Sequence, residues 1–232
     1  VTPARPIAGL QVTIHSMDPR PDPGQFAVGP SRSPFGSLDS MDGESVDICI
    51  VGAGLSGLHL ARLLDGSGLD CLLLDKGRSP GGRAATRRIG EARVDHGLPW
   101  LTAGGDLSIQ LIDGFRSDGL LEPVDAGGSA GVAWASPNGI SSLMKHLASG
   151  HRIRLNNRVL SVSPAGEEIK LDIEDGEGAR HELTARHVVI TAPVPQMVEM
   201  SPALAEAAGE GAAETYDKAI VGLFRLADDT GL

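Results

Sequence analysis

Val46-Asp47-Ile48-Cys49-Ile50-Val51-Gly52-Ala53-Gly54-Leu55-Ser56-Gly57 decides the fold, read together with Cys71-Leu72-Leu73-Leu74-Asp75 a little further on. Ile48, Cys49, Ile50 and Val51 make a short apolar run, the pattern of a strand buried on both faces. Gly52, Gly54 and Gly57 follow in G-x-G-x-x-G spacing. The first glycine permits a tight turn, the second lets a pyrophosphate approach the backbone, and the third lets a helix pack close to the strand. Leu55, Leu58, Ala61 and Leu64 then recur at helical spacing, which predicts a helix over residues 55–64 stopped by Gly66 and Gly68. A second apolar strand, 71–74, ends in Asp75, which lies 23 residues beyond Gly52, where an acid reaches the ribose hydroxyls of an adenine dinucleotide. Strand, glycine turn, helix, strand and acid stand in the order that turns a weak motif into a dinucleotide-binding fingerprint. The acid disfavours a ribose 2′-phosphate, so FAD or NAD is expected rather than NADP.

The 232-residue chain can bury one good core, or one and a half domains of ordinary size. A net charge of −10 argues against nucleic acid or an anionic membrane as partner. No apolar run approaches the length of a membrane span, and the start lacks the apolar core of a secretory signal. A cytoplasmic setting is therefore expected, and the oligomeric state is open. Cys49 and Cys71 fall in the two proposed strands, where each reads as a small buried apolar residue. Neither has metal-ligand spacing to a histidine, and no metal is expected.

Residues 1–44 read as a disordered extension: seven of the 15 prolines fall there among serines and glycines, with little periodicity. Met41 stands where a natural first residue would. After Asp75 comes Lys76-Gly77-Arg78-Ser79-Pro80-Gly81-Gly82-Arg83, a loop whose amides and guanidinium groups suit a phosphate or a charged ring edge. Asp95-His96-Gly97 and Trp100 follow closely, and a lone histidine in that setting is more often structural than catalytic. Residues 107–121 predict a helix and a turn, 127–134 a strand ending near a pocket, and 140–148 a helix with Leu143, Met144 and Leu147 inward. Ile153 and Leu155 predict a short strand. Residues 159–162, 169–173 and 181–183 predict a three-stranded meander, with Lys170, Asp172 and Glu174 on its solvated side. Val188-Val189-Ile190 predicts a separate buried strand closed by Thr191-Ala192-Pro193. Residues 197–213 predict a helix interrupted at Pro202, and 219–226 a final strand.

The fingerprint, the ribose acid, the loop from Asp75 to Arg88 with its Gly81-Gly82-Arg83, the Asp95-His96-Gly97 segment, the turn and helix of 137–147 and the run from Val188 to Gln196 together resemble the FAD-dependent amine oxidase superfamily, and within it the renalase-like branch. The likeness extends over about residues 46–226. It implies an α/β fold: a Rossmann-like FAD-binding domain with a parallel sheet and a three-stranded β-meander, plus part of a smaller mixed substrate domain. It places the FAD-binding domain at 45–98 and 138–195, and the partial substrate domain at 99–137 and 196–232. It implies that Gly52, Ala53, Gly54, Leu55, Ser56 and Gly57 hold the pyrophosphate, Asp75 the ribose, and that Lys76, Gly82 and Arg83 lie along the cofactor. The Val159 backbone would face the adenine, and Asp95, His96 and Gly97 would approach the flavin. It implies oxidation of a small reduced nitrogen compound, of dihydronicotinamide or amine type, with oxygen as acceptor.

The chain departs from the family pattern in three places. Family members continue for roughly another ~100 residues of substrate domain, a further domain's worth, so the chain reads as C-terminally truncated. Trp100 and Ile140 replace the family's usual aromatic and methionine. No residue stands out as a catalytic base, which hydride transfer does not require. Two rival readings remain at the level of sequence. One is an NAD-dependent dehydrogenase, which shares the fingerprint but not the Gly-Gly-Arg loop. The other is a truncated, non-catalytic nucleotide-binding fragment.

Overall fold

The strand that the fingerprint predicts is β1, Glu44–Val51, at the centre of a six-stranded sheet. The computed structural model describes residues 43–125 and 132–209. β1 is flanked by β2, Cys71–Leu74, and by β11, Arg180–Ile190, both parallel to it. Outside β2 lies β8, Arg152–Arg154, also parallel. Outside β11 lie β10, Glu168–Glu174, and β9, Arg158–Ala165, both antiparallel, giving the order β8-β2-β1-β11-β10-β9. α1, Leu55–Leu63, follows β1 and packs on β1 and β2 through Leu58 and Ala61.

Alternation along the strands divides the core into two layers. Ile50 and Leu73 are fully buried on the side of α1. Cys49, Val51, Leu72 and Leu74 point the other way and share one core with Val159, Val162, Leu171, Ile173, Leu183 and Ala185 of the meander. The meander is thus folded across the parallel strands, and the Asn157 N–H reaches the Asp75 carbonyl at 2.9 Å. Burying each of these large aliphatic side chains contributes about 1.5–3 kcal/mol. Cys49 and Cys71 are free thiols, and loss of solvation pushes them up to about 12 and about 11, so both stay protonated at neutral pH.

β11 differs from the sequence reading, which made 181–183 and 188–190 two strands. They are one strand of 11 residues, paired antiparallel to β10 through Ala185 and parallel to β1 from Leu183 to Ile190. The polar Arg186-His187 pair that appeared to separate them is exposed while Leu183 and Ala185 are buried. On the meander's polar side Lys170 pairs with Glu182 at 2.6 Å and Asp172 at 3.3 Å. Two acids of this region are held below the ordinary carboxylate value of 3.8: Asp172 by the Ser161 hydroxyl and then Lys170, Asp175 by His181 and then the Ala179 and Glu177 amides. A depressed folded pKa adds stability that is complete above the unfolded value and disappears as pH falls through the folded one. Acid unfolding followed by circular dichroism is expected to have an Asp175-dependent part below about pH 4, the unfolded carboxylate range. Asp175→Asn is expected to reduce it.

The described residues form two compact units: one holds the strands above and the chain from Ala148 on, the other is Gly81–Leu147. Compactness therefore groups 81–98 with 99–147, whereas the sequence reading divided the chain at 98. The reason is a hairpin that the sequence did not announce: β3, Thr86–Ile89, pairs with β4, Ala92–Asp95, and both meet the start of α3, Ile140–Ala148. The same unit holds α2, Asp106–Ser117, and an antiparallel sheet of β5, Leu101–Thr102, β7, Ala133–Ala135, and β6, Glu122–Val124. Ile140, Leu143, Met144 and Leu147 give α3 its fully buried face. The Arg116 guanidinium lies 4.2 Å from the centre of the Trp134 ring, and Trp100 is exposed.

After β11 come α4, Val194–Val198, and α5, Pro202–Ala208, so the break at Pro202 is where proline opens the second helix. The expectations for residues 1–42, 127–131 and 210–232, including Met41 and the strand over 219–226, lie outside the described residues. Among the described residues no helix is long and apolar enough to cross a membrane, and no group of side chains is arranged to hold a metal ion.

Candidate cofactor site

The three glycines of the turn after β1 do three different things. Gly52 has φ +111°, and a Cβ there would stand 2.6 Å from Thr191 Oγ1. A Cβ on Gly57 would stand 2.0 Å from the Gly52 carbonyl oxygen, so only glycine lets α1 approach the end of β1. Gly54 is the reverse case: its backbone is extended (φ −80°, ψ −176°), and a Cβ would meet no atom within 4 Å. A side chain at Gly54 would point into open space.

Gly54 is also the N-cap of α1, and it supplies no side-chain acceptor to the first turn. The amides of Leu55, Ser56 and Gly57 belong to the group that a helix cannot satisfy internally. Three such donors at the positive end of a helix dipole, beside the open direction at Gly54, suit an anion. Asp75 closes its edge. Its Oδ2 accepts the Ala53 N–H and its Oδ1 the Gly77 N–H, each at 2.6 Å. Ala53 is thereby committed to the acid. An ionised carboxylate accepts about four hydrogen bonds, so Asp75 keeps capacity for two ribose hydroxyls. Open backbone, uncapped helix and a loop-bound acid fit the pyrophosphate and ribose of an adenine dinucleotide such as FAD.

Thr191 is the participant that sequence reasoning passed over. Its hydroxyl lies 3.2 Å from the Val51 carbonyl and 3.1 Å from that of Gly52, and its N–H donates to Val51 at 2.9 Å. It locks the turn from the end of β11. The only signal was a threonine closing an apolar strand. Lys76 donates to Gln196 Oε1 at 2.9 Å. Val159 is buried in the meander core, on an edge strand whose outer backbone faces no other strand of the sheet.

In the Gly81–Leu147 unit the structure brings together the two segments singled out after β2. Leu98 donates to the Arg83 carbonyl and His96 to that of Ala85, each at 3.0 Å. A Cβ on Gly97 would lie 1.8 Å from the Arg83 oxygen, so the contact requires glycine. Gly82, Arg83, His96 and Gly97 are exposed along this seam. Asp95 is engaged elsewhere: both its oxygens accept the Ile140 N–H at 3.0 Å, and Oδ1 takes the Thr86 hydroxyl at 2.5 Å. It caps α3. Asp95→Ala is expected to cost about 2 kcal/mol, the loss of a cap that leaves a buried amide unpaired. Calorimetry without added cofactor measures it, and an unchanged melting temperature would show that the cap is unimportant.

A glycine turn that opens an uncapped helix, with the next strand's acid bonded into it, defines a dinucleotide-binding protein of Rossmann-like architecture. The NAD(P)-binding Rossmann-like domain model matches residues 50–114, and the flavin containing amine oxidoreductase model matches residues 121–223. Each model covers less than half of the chain, which over those residues resembles FAD-dependent amine oxidoreductases. Among solved structures it resembles a triple variant of putrescine oxidase, at 13% identity and TM-score 0.55 over 68% of this chain and 60% of that one. It also resembles a putative protoporphyrinogen oxidase from Exiguobacterium sp. 255-15, at 15% identity and TM-score 0.54 over 70% of this chain and 62% of the other. At these identities the likeness is one of fold. The chain spans less than two thirds of the length of either.

Proposed function

We propose that the chain is the FAD-binding part of an oxidoreductase that acts on a small reduced nitrogen compound, of dihydronicotinamide or amine type, with oxygen as acceptor. The open approach to Gly54 at the uncapped start of α1, with Asp75 beside it, carries this reading. FAD, when bound, would supply two-electron redox chemistry between that substrate and oxygen. The chain's residues hold and orient it. Amides of Leu55, Ser56 and Gly57 neutralise the pyrophosphate, Asp75 takes the ribose hydroxyls, and Thr191 keeps the turn in shape. Lys76, Gly82, Arg83, the Val159 backbone, Asp95, His96 and Gly97 are assigned to the rest of the cofactor. By cofactor binding rather than compactness, residues 45–98 and 138–195 make the FAD domain, and 99–137 with 196–232 part of the substrate domain. The renalase-like branch, a small-molecule substrate without nucleic acid or membrane, and a cytoplasmic setting belong to the same proposal.

The experiment is a visible spectrum of the purified protein, then anaerobic titration with dihydronicotinamides and with primary amines. Bound flavin absorbs in the visible, and its bleaching by one substrate class identifies that class. A colourless protein that takes up no added FAD but binds NAD would replace the proposal with the dehydrogenase reading. One that binds neither would leave the non-catalytic fragment.

A further inference from the structure

We propose that the Gly81–Leu147 unit carries a second anion site, built from the β3–β4 hairpin and α3, which takes a phosphoryl group of a small molecule. A cavity of about 400 Å³ there is lined by three cations, Arg88, Arg93 and Lys145, and by no acid. That volume lies within the span of small-molecule pockets, roughly 300–1,000 Å³, so the phosphoryl group would be a handle on a larger ligand.

The arrangement of the cations carries the argument. Arg88 and Arg93 are directly opposed across the hairpin, on one face of it. Like charges so placed destabilise a strand pair. Among the described residues neither of them, nor Lys145, is joined to an acid. In a chain with ten more acidic than basic residues, three cations converging without a counterion is not a solvated surface average. Asp95 shares that hairpin face, and both its oxygens are committed to Ile140 and Thr86. Glu91, in the hairpin turn, does not line the cavity.

One of the donors is also held in place. The Arg93 guanidinium donates to Asn138 Oδ1 at 2.9 Å, which fixes its plane. Ser141 lines the cavity one helical turn before Lys145, on the same side of α3. A phosphoryl group brings a charge of about −1.5 to −2 and three acceptor oxygens. It matches two guanidinium forks and an ammonium better than a single carboxylate does.

The test uses the full chain with excess FAD, so that the glycine turn is filled. Melting temperature and calorimetric binding are measured with inorganic phosphate, with malonate, and with sodium chloride at equal ionic strength. Phosphate is expected to raise the melting temperature saturably, with at least tenfold weaker binding in Arg88→Gln and in Lys145→Gln and unchanged binding in Gly54→Val. An equal response in wild type and both cavity variants would overturn the site. So would a response lost in Gly54→Val and kept in Arg88→Gln, which puts the phosphate on the glycine turn. A rise that chloride reproduces would reduce the effect to ionic strength. A stronger response to malonate would overturn the phosphoryl assignment.

Discussion

Gly54→Val is expected to give a folded protein that no longer retains FAD. A Cβ at Gly54 would meet no atom within 4 Å beyond its chain neighbours, and the extended backbone there suits any residue. The cost to the fold is limited to a poorer N-cap, no more than about 1 kcal/mol. The valine fills the space that the pyrophosphate needs over the α1 amides, so binding should weaken at least ~100-fold, about 2.7 kcal/mol. Flavin-to-protein absorbance after gel filtration, read beside a melting curve, measures both halves. Full flavin content in the variant would show that the cofactor lies elsewhere.

Gly57→Ala is expected to do the opposite and damage the fold itself. Its Cβ would stand 2.0 Å from the Gly52 carbonyl oxygen, and that atom is backbone held by Thr191. Neither side can yield cheaply. Helix and strand must separate, with a loss on the order of 3 kcal/mol or more. For a domain of this size that lowers the melting temperature by roughly 10 °C. The loss should appear without any cofactor present. A variant that melts like wild type would mean that α1 sits further from β1 than the structure places it. Two glycines of one motif are thus expected to separate a binding defect from a folding defect.

Legibility in the sequence followed the range of the interactions. α1 and β2 were readable almost to the residue, and β1 in its second half, because apolar runs, helical spacing and glycine stops are local signals. α3 was readable for the same reason, its buried face being Leu143, Met144 and Leu147 with Ile140 added. The β3–β4 hairpin was not, because Thr86-Arg87-Arg88-Ile89 shows no apolar alternation and Ala92-Arg93-Val94-Asp95 alternates over four residues only. Its register is set by the Thr86–Asp95 pair and by Ile140, 45 residues away. The capping role of Asp95 depends on that same distant partner, so its neighbours in sequence did not announce it. The hairpin register puts Arg88 opposite Arg93 and Arg87 opposite Val94.

The pairing of β1 with β11 bears on how the nascent chain acquires its shape. The hydrogen bond from the Thr184 hydroxyl to the Glu44 carbonyl spans 140 residues. During synthesis, the long margin of β1 that β11 will cover stays bare until β11 has emerged from the ribosome. Closing so large a loop is slow, and an unpaired apolar strand is prone to wrong partners in the interval. Release of the chain before Ile190 would leave this centre open, so translation that stalls upstream of β11 should yield aggregates rather than a smaller soluble form.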